Sequence, residues 1–538
     1  MPETRGESER DSERDLEVGS EVDPERVASR IYIALAEQRY GDAADLAEQM
    51  WPVLVTHQLP VLRAVADRLT LADLAERPGW DHIRRYLNYV MVDPALRPSA
   101  FVEPPSPHPP TGLGDRVLNI TMRSIAARTA GRLSEAVNLA REAGVVLENA
   151  READRAAIQH RLPDAYLQWG LSFEFAALED EAFGMLARAY DGGVAFGNTR
   201  VAADAAGELA WLNALAGHGP STDQWIERSR ALAASSRSSS TWRRSDLLAA
   251  AIRVADGLRP ADAVELLATR SPDGIDEHRL SALSQLAIFR FSAGLSSPTL
   301  VLSELRRAVA SDGPLLAEHG ENSIVLTYAE ALVQMYTDRP DRSIELLDRL
   351  SETGAAIFAL GLRAAAHLAI GARAEAERDA ETAVIRYGQW PRQSIPALLV
   401  MAAVALEAAD NERATRYFTD ACELAIRNSL VSSLVVIPHA DFTRLLELAG
   451  ERVADPRLTE LARRPLVFAP PRRMAVNLSP RELEVLRELA NGGTIADAAK
   501  RLHLSLNTMK VHNHSIYRKL AVDNRDDAVR RAMDRGII

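Results

Sequence analysis

Cysteine and lysine are the residue types that this sequence has least of. A single cysteine, Cys422, stands among 538 residues, which excludes an intramolecular disulfide and fits a reducing compartment. In a strongly helical context, a lone cysteine is typically a small buried hydrophobe rather than a nucleophile. Lysine occurs only at Lys500, Lys510 and Lys519. All three lie in the last forty residues.

The absence of lysine from residues 1–499 excludes several chemistries from most of the chain. A P-loop nucleotide site needs a lysine that reaches the phosphates, and a protein kinase needs one as well. No nucleophile–base pair stands out, so we predict no catalytic residue, no cofactor and no enzyme. His503, His512 and His514 superficially suggest a metal site. Helical geometry puts residues 512 and 514 on different faces, so no metal is predicted.

Long apolar runs and aromatic side chains are scarce as well. The longest uncharged apolar run, Ala397 to Leu406, is too short to span a bilayer, and the charged N-terminus is unlike a signal peptide. We therefore expect a cytoplasmic protein without a membrane partner. Aromatic residues make up 5% of the chain, whereas alanine and leucine are abundant, which favours helix.

Positive charge is concentrated at the C-terminal end. Residues 472–538 contain 13 Lys+Arg against 8 Asp+Glu, a balance of +5, so the remainder carries −17 within the total of −12. An acidic body with a basic tail is the asymmetry expected when only the tail meets a polyanion.

Composition marks the candidate domain boundaries. Residues 1–23 are acidic and almost without large apolar side chains, which predicts a disordered tail. Residues 24–102 show helical periodicity and are interpreted as N-terminal helical repeats. The Pro-rich stretch 103–112 predicts a loop, because proline lacks the amide donor that a helix needs; a proline-recognition ligand is the alternative. Residues 463–476, with three prolines and four arginines, are interpreted as a linker.

Residues 113–462 carry a recurring unit in which a short polar turn precedes a helix with a small residue near its start. The small residues are Ala136, Ala182, Ala263, Ser343, Ala376 and Ala414, with an earlier copy at Ala43–Ala44. Spacings of 33 and 38 residues between the last three lie near the ~34-residue period of tetratricopeptide-like arrays. A small side chain lets neighbouring helices stack closely. The pattern predicts an all-α fold, an α-solenoid of TPR-like helical hairpins.

Residues 477–538 contain four short helix patterns. Ser479 to Glu482 and Thr494 to Asp497 are capping boxes, Ser505 is placed to cap a third helix, and Asp523 or Asn524 a fourth. In the third helix, Leu506 to Leu520, one face carries Met509, His512 or Asn513, Ile516 and Leu520. The opposite face is basic and polar. Two helices joined by a tight turn, the second with a basic face, indicate a helix-turn-helix for the major groove.

The same segment carries a longer motif at fixed spacing. Its residues include Leu478, Ser479, Arg481, Glu482, Glu484, Val485, Leu486, Gly492, Leu504, Ser505, Thr508, Lys510, His512, Ile516, Lys519, Leu520, Val522 and Arg525. This motif resembles the LuxR/FixJ/GerE family of DNA-binding domains. The resemblance implies a C-terminal four-helix LuxR-type helix-turn-helix domain over residues 477–538.

The resemblance also implies roles for residues of the third helix. Those expected to face base edges are Lys510, Val511 and His514, and those expected to meet phosphates are Asn507, Thr508 and Arg518. A lysine can donate to guanine O6 and N7, and a valine can contact a thymine methyl. Glu482 and Arg525 are expected to form an ion pair inside the domain.

We therefore expect a sequence-specific DNA-binding transcriptional regulator that binds double-stranded promoter or operator DNA as a homodimer. Regulators of this family couple the DNA-binding domain to varied sensors. Here the sensor would be the helical-repeat body, with RNA polymerase, a peptide or a small-molecule effector as further partners. A purely structural dimerisation body is one alternative for the repeats. For the whole chain the alternative is a protein-interaction scaffold whose helix-turn-helix docks a partner such as RNA polymerase.

Overall fold

The computed structural model describes residues 23–92, 97–98, 100–104, 107–235, 245–269, 276–311, 320–337, 339–352, 356–463, 478–520, 522–534 and 538. All regular secondary structure in these residues is helical, which confirms the all-α class. The predicted tail (1–23) and the predicted linker (463–476) lie outside the described residues, except for residues 23 and 463. Within the same residues, no helix combines the length and apolarity needed to cross a membrane.

The helices are named here in chain order. The N-terminal part contains α1 (Pro24–Ala36), α2 (Tyr40–Gln49), α3 (Trp51–His57), α4 (Leu59–Arg68), α5 (Leu71–Glu76) and α6 (Gly79–Val90). The first half of the body contains α7 (Leu113–Thr129), α8 (Leu133–Glu148), α9 (Glu152–Ile158), α10 (Leu162–Phe175), α11 (Glu179–Ala195), α12 (Thr199–Ala216), α13 (Gly219–Ser235), α14 (Ser245–Asp256) and α15 (Pro260–Ala268).

The second half of the body and the C-terminal part follow. The body continues with α16 (Arg279–Ser292), α17 (Pro298–Ser311), α18 (Glu321–Tyr336), α19 (Pro340–Glu352), α20 (Ala356–Ile370), α21 (Arg373–Tyr387), α22 (Pro391–Glu407), α23 (Asn411–Asn428), α24 (His439–Ala449) and α25 (Pro456–Arg463). The C-terminal helices are α26 (Pro480–Ala490), α27 (Ile495–Arg501), α28 (Leu506–Leu520) and α29 (Arg525–Asp534).

The small residues of the recurring unit hold equivalent places in the fold. Each is the fourth residue of its helix and has no exposed surface: Ala43, Ala136, Ala182, Ala263, Ser343, Ala376 and Ala414. Each of these helices packs against the helix before it, so that the pair forms a hairpin. A larger side chain at this depth would push the two helices apart. The predicted array of TPR-like hairpins is confirmed.

Two positions before each of eight helices stands a residue in the left-handed conformation. The positions are Gln38, Gly131, Ala177, Gly197, Gly217, Leu258, Gly371 and Ala409. Such a residue ends the preceding helix and reverses the chain. Gly197 and Gly217 mark two turns, before α12 and α13, that we did not predict from the sequence. At the N-terminus, Tyr40-Gly41-Asp42 favours an interruption because of its glycine, but these residues form the first turn of α2 and the break lies at residues 37–39.

The body folds back so that its middle contacts its later part. Arg392, at the start of α22, donates to the Ala214 carbonyl at 3.1 and 3.0 Å and to the Asp256 carboxylate at 2.9 and 2.8 Å. At Gly217 (φ +89°) an added Cβ would lie 2.7 Å from the Arg392 amide nitrogen. Only glycine therefore allows α12 to end this close to α22.

Cys422 packs inside the body with no exposed surface. Burial and the nearby charge of Asp455 raise the pKa of its thiol to about 12. Because the thiolate is the reactive form, the interpretation of Cys422 as a buried hydrophobe is confirmed.

Candidate nucleic-acid interface

Each C-terminal helix begins at a side chain that satisfies its first amides. The capping residues of α26 to α29 are Ser479, Thr494, Ser505 and Asn524. At the first, the Ser479 hydroxyl accepts from the Glu482 amide at 3.2 Å, and the Glu482 carboxylate accepts from the Ser479 amide at 2.6 Å. These contacts are local, three residues apart in sequence, which is why all four helix starts could be predicted.

One face of α28 is the centre of the domain's core. Its buried side chains are Met509, Asn513, Ile516 and Leu520. They pack with apolar side chains of α26, α27 and α29. Of the two residues proposed for this face, Asn513 is buried and His512 is only half-buried. The turn before α28 contains His503 in the left-handed conformation (φ +54°), and α27 and α28 thus form a helix-turn-helix.

The opposite face of α28 points to solvent. All six residues predicted to contact DNA are exposed: Asn507, Thr508, Lys510, Val511, His514 and Arg518. Lys510 and His514 are one turn apart, and Arg518 follows one turn later. Val511 is 63% exposed, although a valine normally gains by burial. The face therefore combines a cation, an apolar side chain and an imidazole without an internal packing role.

Several cations of the domain are already paired or hydrogen-bonded within it. Arg501 pairs with Glu488 at 2.6 Å, and Arg481 donates to the Leu502 carbonyl at 2.8 Å. For Lys510 and Arg518, the part of the chain that the structure describes supplies no ion-pair partner. Both charges are thus available to a polyanion. Thr508 differs, since its hydroxyl lies 2.8 Å from that of Ser505.

Comparison with known proteins bears directly on this domain. Residues 476–532 match the family model described as "Bacterial regulatory proteins, luxR family". The C-terminal domain is a LuxR-type helix-turn-helix domain. The match concerns this domain alone. It supports a DNA-binding transcriptional regulator, and the family is one of regulatory proteins rather than of enzymes.

Two further comparisons concern the whole chain. No curated protein matches it. Among solved structures, it is similar to the "Crystal structure of APC/C hetero-tetramer Cut9-Hcn1", with 12% identity over 97% of this chain and 98% of that chain and a TM-score of 0.40. This similarity is too loose to support a conclusion about the fold or the function of the chain. The repeat architecture rests on the hairpins described above.

Glu482 connects the first and third helices of the LuxR-type domain. Its carboxylate accepts from the Lys519 ammonium at 2.6 Å and from the Ser515 hydroxyl at 2.7 Å. The expected ion pair of Glu482 with Arg525 was wrong. Arg525 instead donates to the carbonyls of Leu489 and Gly493, where it satisfies the C-terminal end of α26. Which cation pairs with Glu482 depends on how α28 and α29 pack against α26, and the sequence did not indicate this packing.

Replacing Glu482 with glutamine should destabilise the LuxR-type domain by about 1–3 kcal/mol, because it leaves buried donors poorly satisfied. Burial alone would raise the pKa of Glu482, but the hydrogen bonds from Lys519, Ser479 and Ser515 outweigh it and lower the pKa to about 2. A lowered pKa stabilises the fold above the ordinary pKa and loses this effect as pH falls towards 2. Faster hydrogen exchange of α26 and α28 amides in the full-length variant at neutral pH would verify the effect.

Glu484→Gln on the same helix is the matched control. Glu484 pairs with Arg481 at 2.5 Å, but its side chain is 53% exposed, so the change should stay within about 0.5 kcal/mol. Equal acceleration of exchange in both variants would contradict the assigned role of Glu482.

A second polar cluster lies in the body, and sequence reasoning missed it. Glu174, Glu208 and His278 are all buried, and one possible metal-ligand atom from each lies within 4.8 Å of the others. The His278 Nε2 atom is 2.9 Å from Glu208 and 3.4 Å from Glu174. These residues come from α10, α12 and the turn before α16, so no local spacing indicated them.

Proposed function

We propose that this protein is a sequence-specific DNA-binding transcriptional regulator whose helical-repeat body senses an effector. The observation that carries the proposal is the exposed face of α28. Lys510, Val511 and His514 lie on the second helix of a helix-turn-helix, where such proteins read the major groove. None of the three side chains packs into the core of the domain, so folding alone does not explain their presence.

The proposed contacts follow from the chemistry of each side chain. Lys510 donates to guanine O6 and N7, and Val511 packs against a thymine methyl. His514, one turn further on, contacts a base edge. Arg518 and Asn507 lie nearer the two ends of the exposed face, where they contact phosphates together with Thr508. These six residues form the proposed interface.

We further propose that the protein binds its operator as a homodimer. A single recognition helix covers only a few base pairs, and two-fold related copies read two half-sites one helical turn apart. Sedimentation velocity of the protein on a selected operator should give two chains per duplex. One chain per duplex would contradict the homodimer while leaving DNA recognition intact.

A protein-interaction scaffold is the second candidate. Its support is Val511, since an exposed apolar side chain can also anchor a protein partner such as RNA polymerase. The two candidate functions differ in what the exposed face of α28 binds: DNA in the regulator and a protein in the scaffold. Discrete promoter peaks in chromatin pull-down that disappear in a Lys510→Ala/His514→Ala variant favour the regulator. Unchanged peaks together with lost polymerase binding favour the scaffold.

Lys510→Ala should weaken binding to a selected operator by about 10- to 100-fold, because a specific lysine–base contact contributes roughly 1–3 kcal/mol of discrimination. Binding to random-sequence DNA should change much less. Fluorescence anisotropy with the full-length protein, on duplexes selected from a random pool, measures both affinities. Binding to both should fall steeply with salt, since the contacts release counterions.

Lys500→Ala is the matched control, because it removes the same charge from an exposed position on α27. It should lower the affinity for both duplexes equally and leave their ratio unchanged. If Lys510→Ala also left the ratio unchanged, the assignment of Lys510 to base readout would be wrong. If the unmodified protein bound no duplex from the pool, the regulator proposal would fail.

A further inference from the structure

The repeat body contains a partly open cavity of about 400 Å³. Helices α12, α14, α16, α18 and α22 contribute to its wall. It lies where the body folds back, and Arg392 both lines the cavity and joins α22 to the end of α12. Pockets of roughly 300–1,000 Å³ hold drug-sized ligands, so the cavity has the size of a small-molecule site.

Most of the wall is apolar, and part of it is aromatic. The aromatic residues are Phe289, Phe291, Tyr328, Tyr336 and Trp390, and leucine, isoleucine and valine side chains form most of the rest of the apolar wall. A surface of this kind gains free energy when it covers an apolar body. The apolar surface therefore suits a ligand with an apolar body. Aromatic faces also attract cations, so a positive charge on the ligand is compatible with this wall.

The charged residues of the wall are unbalanced. The described lining contains the carboxylates Glu174, Glu179, Asp256 and Glu321 and a single cation, Arg392. Arg392 makes two hydrogen bonds to Asp256, at 2.9 and 2.8 Å, so its charge is already matched. Glu174 lies 3.4 Å from His278 Nε2, so the acidic excess of the wall falls on Glu179 and Glu321. Buried carboxylates are costly without a positive charge nearby.

Glu321 has one carboxylate oxygen that accepts hydrogen bonds and one that does not. Its Oε1 atom accepts from the Trp211 indole at 2.9 Å and from the Ser281 hydroxyl at 3.4 Å. Its Oε2 atom is buried and accepts no hydrogen bond from the described residues. The residue is 5% exposed and lines the cavity, and an unpaired buried oxygen costs free energy unless a ligand donates to it.

We propose that this cavity binds an amphipathic organic cation, with an apolar or aromatic body and one protonated amine that donates to Oε2 of Glu321. The inference rests on the proposed function, because it names the chemical class of the effector that the repeat body would sense. It assigns the amine to the Glu321 end and the apolar body to the aromatic wall.

The electrostatics of Glu321 agree with this assignment. Among the described residues, Glu208 and Glu179 act electrostatically on Glu321, and Glu174, Tyr328 and Arg392 line the same cavity. Burial, followed by the charges of Glu208 and Glu179, raises the pKa of Glu321 to about 8. Because the carboxylate must ionise to pair with an ammonium, affinity for an amine should rise as pH increases towards 8 and then level off.

The test compares three probes that share an indole ring and differ in charge. Tryptamine is cationic, indole-3-ethanol is neutral and indole-3-propionate is anionic. Isothermal titration calorimetry with the full-length protein at about pH 8 should show tryptamine binding at least about tenfold more tightly than the neutral probe. The anion should bind weakest.

Two variants isolate the contribution of Glu321. Glu321→Gln should remove most of the preference for tryptamine over indole-3-ethanol, and with it the rise in amine affinity between about pH 6 and 8. Glu330→Gln lies on the same helix, but Glu330 pairs with Arg306 at 3.3 Å and is not part of the cavity lining. It should leave the affinity for tryptamine unchanged.

Several outcomes would overturn the inference. They are equal binding of the three probes, no binding of tryptamine, or an unchanged preference in Glu321→Gln. DNA binding is measured on the same preparation by anisotropy. DNA binding without amine binding overturns only the cavity assignment, and amine binding without DNA binding overturns only the proposed function.

Discussion

Replacing Arg392 with methionine should lower the free energy of unfolding of the repeat body by about 3–5 kcal/mol, since it leaves a buried carboxylate without its main partner. The Asp256 side chain is only 3% exposed and receives two hydrogen bonds from Arg392. Arg253 lies 3.8 Å from Asp256 and still neutralises part of the Asp256 charge in the variant. We therefore expect a loss of stability towards the lower end of this range. The variant also loses both bonds to the Ala214 carbonyl.

Chemical denaturation followed by circular dichroism measures this effect as a shift of the unfolding midpoint. Arg342→Met is the matched control, because Arg342 and Glu345 form an exposed pair at 2.5 Å on α19, and its loss should stay within about 0.5 kcal/mol. The double variant Arg392→Met/Asp256→Asn should regain part of the loss, because no unpaired charge remains. Equal midpoints for Arg392→Met and the control would disprove the importance of the fold-back contact.

Glu321→Gln should stabilise the repeat body at about pH 8 and have little effect at about pH 4. The unfolded chain releases the Glu321 proton near the ordinary pKa, whereas the folded protein holds it up to about pH 8. This group's contribution to stability is therefore complete below about pH 4.5 and is lost as pH rises to about 8. At high pH this effect lowers the free energy of unfolding by roughly 3–5 kcal/mol at most. Glutamine cannot ionise, so the variant does not lose this stability.

The melting temperature of the repeat body between about pH 4 and pH 8.5, measured for both proteins, tests this expectation. The two curves should separate as pH rises. The amide oxygen of the substituted side chain can still accept from Trp211 and Ser281, so the difference reports ionisation rather than lost hydrogen bonds. Glu330→Gln should follow the unmodified protein. Parallel curves for Glu321→Gln and the unmodified protein would show that Glu321 ionises normally in the folded state.

Local signals made the LuxR-type domain predictable in detail. Its capping residues, such as Ser479 and Thr494, act three residues along the chain, and the periodicity of α28 separates the buried Met509 from the exposed Lys510. The partner of Glu482 was not predictable. Lys519 lies 37 residues away, and its reach depends on the crossing of α26 and α28.

The repeat body shows the same division. The small residue at the fourth position of a helix, as in Ala136 or Ala414, could be found from its local turn. The turns at Gly197 and Gly217 were missed, since the helices that follow them lack the acidic residue that stands in the first turn of the other units. The fold-back contact between Arg392 and Ala214 spans 178 residues. It results from the small rotations between successive hairpins, which no short segment encodes.

The amino-acid sequence by itself determined the helical class, the hairpin repeat, the helix-turn-helix and the exposed face with Lys510, Val511 and His514. Each depends on contacts within a few residues or on a period of helix or repeat. Tertiary structure alone decided where the body folds back, which buried groups pair and that Glu321 faces a cavity. In the body, these features join residues far apart in the sequence, such as Trp211 and Glu321, which are 110 positions apart. The distance between such residues is set by the summed packing of all the hairpins between them.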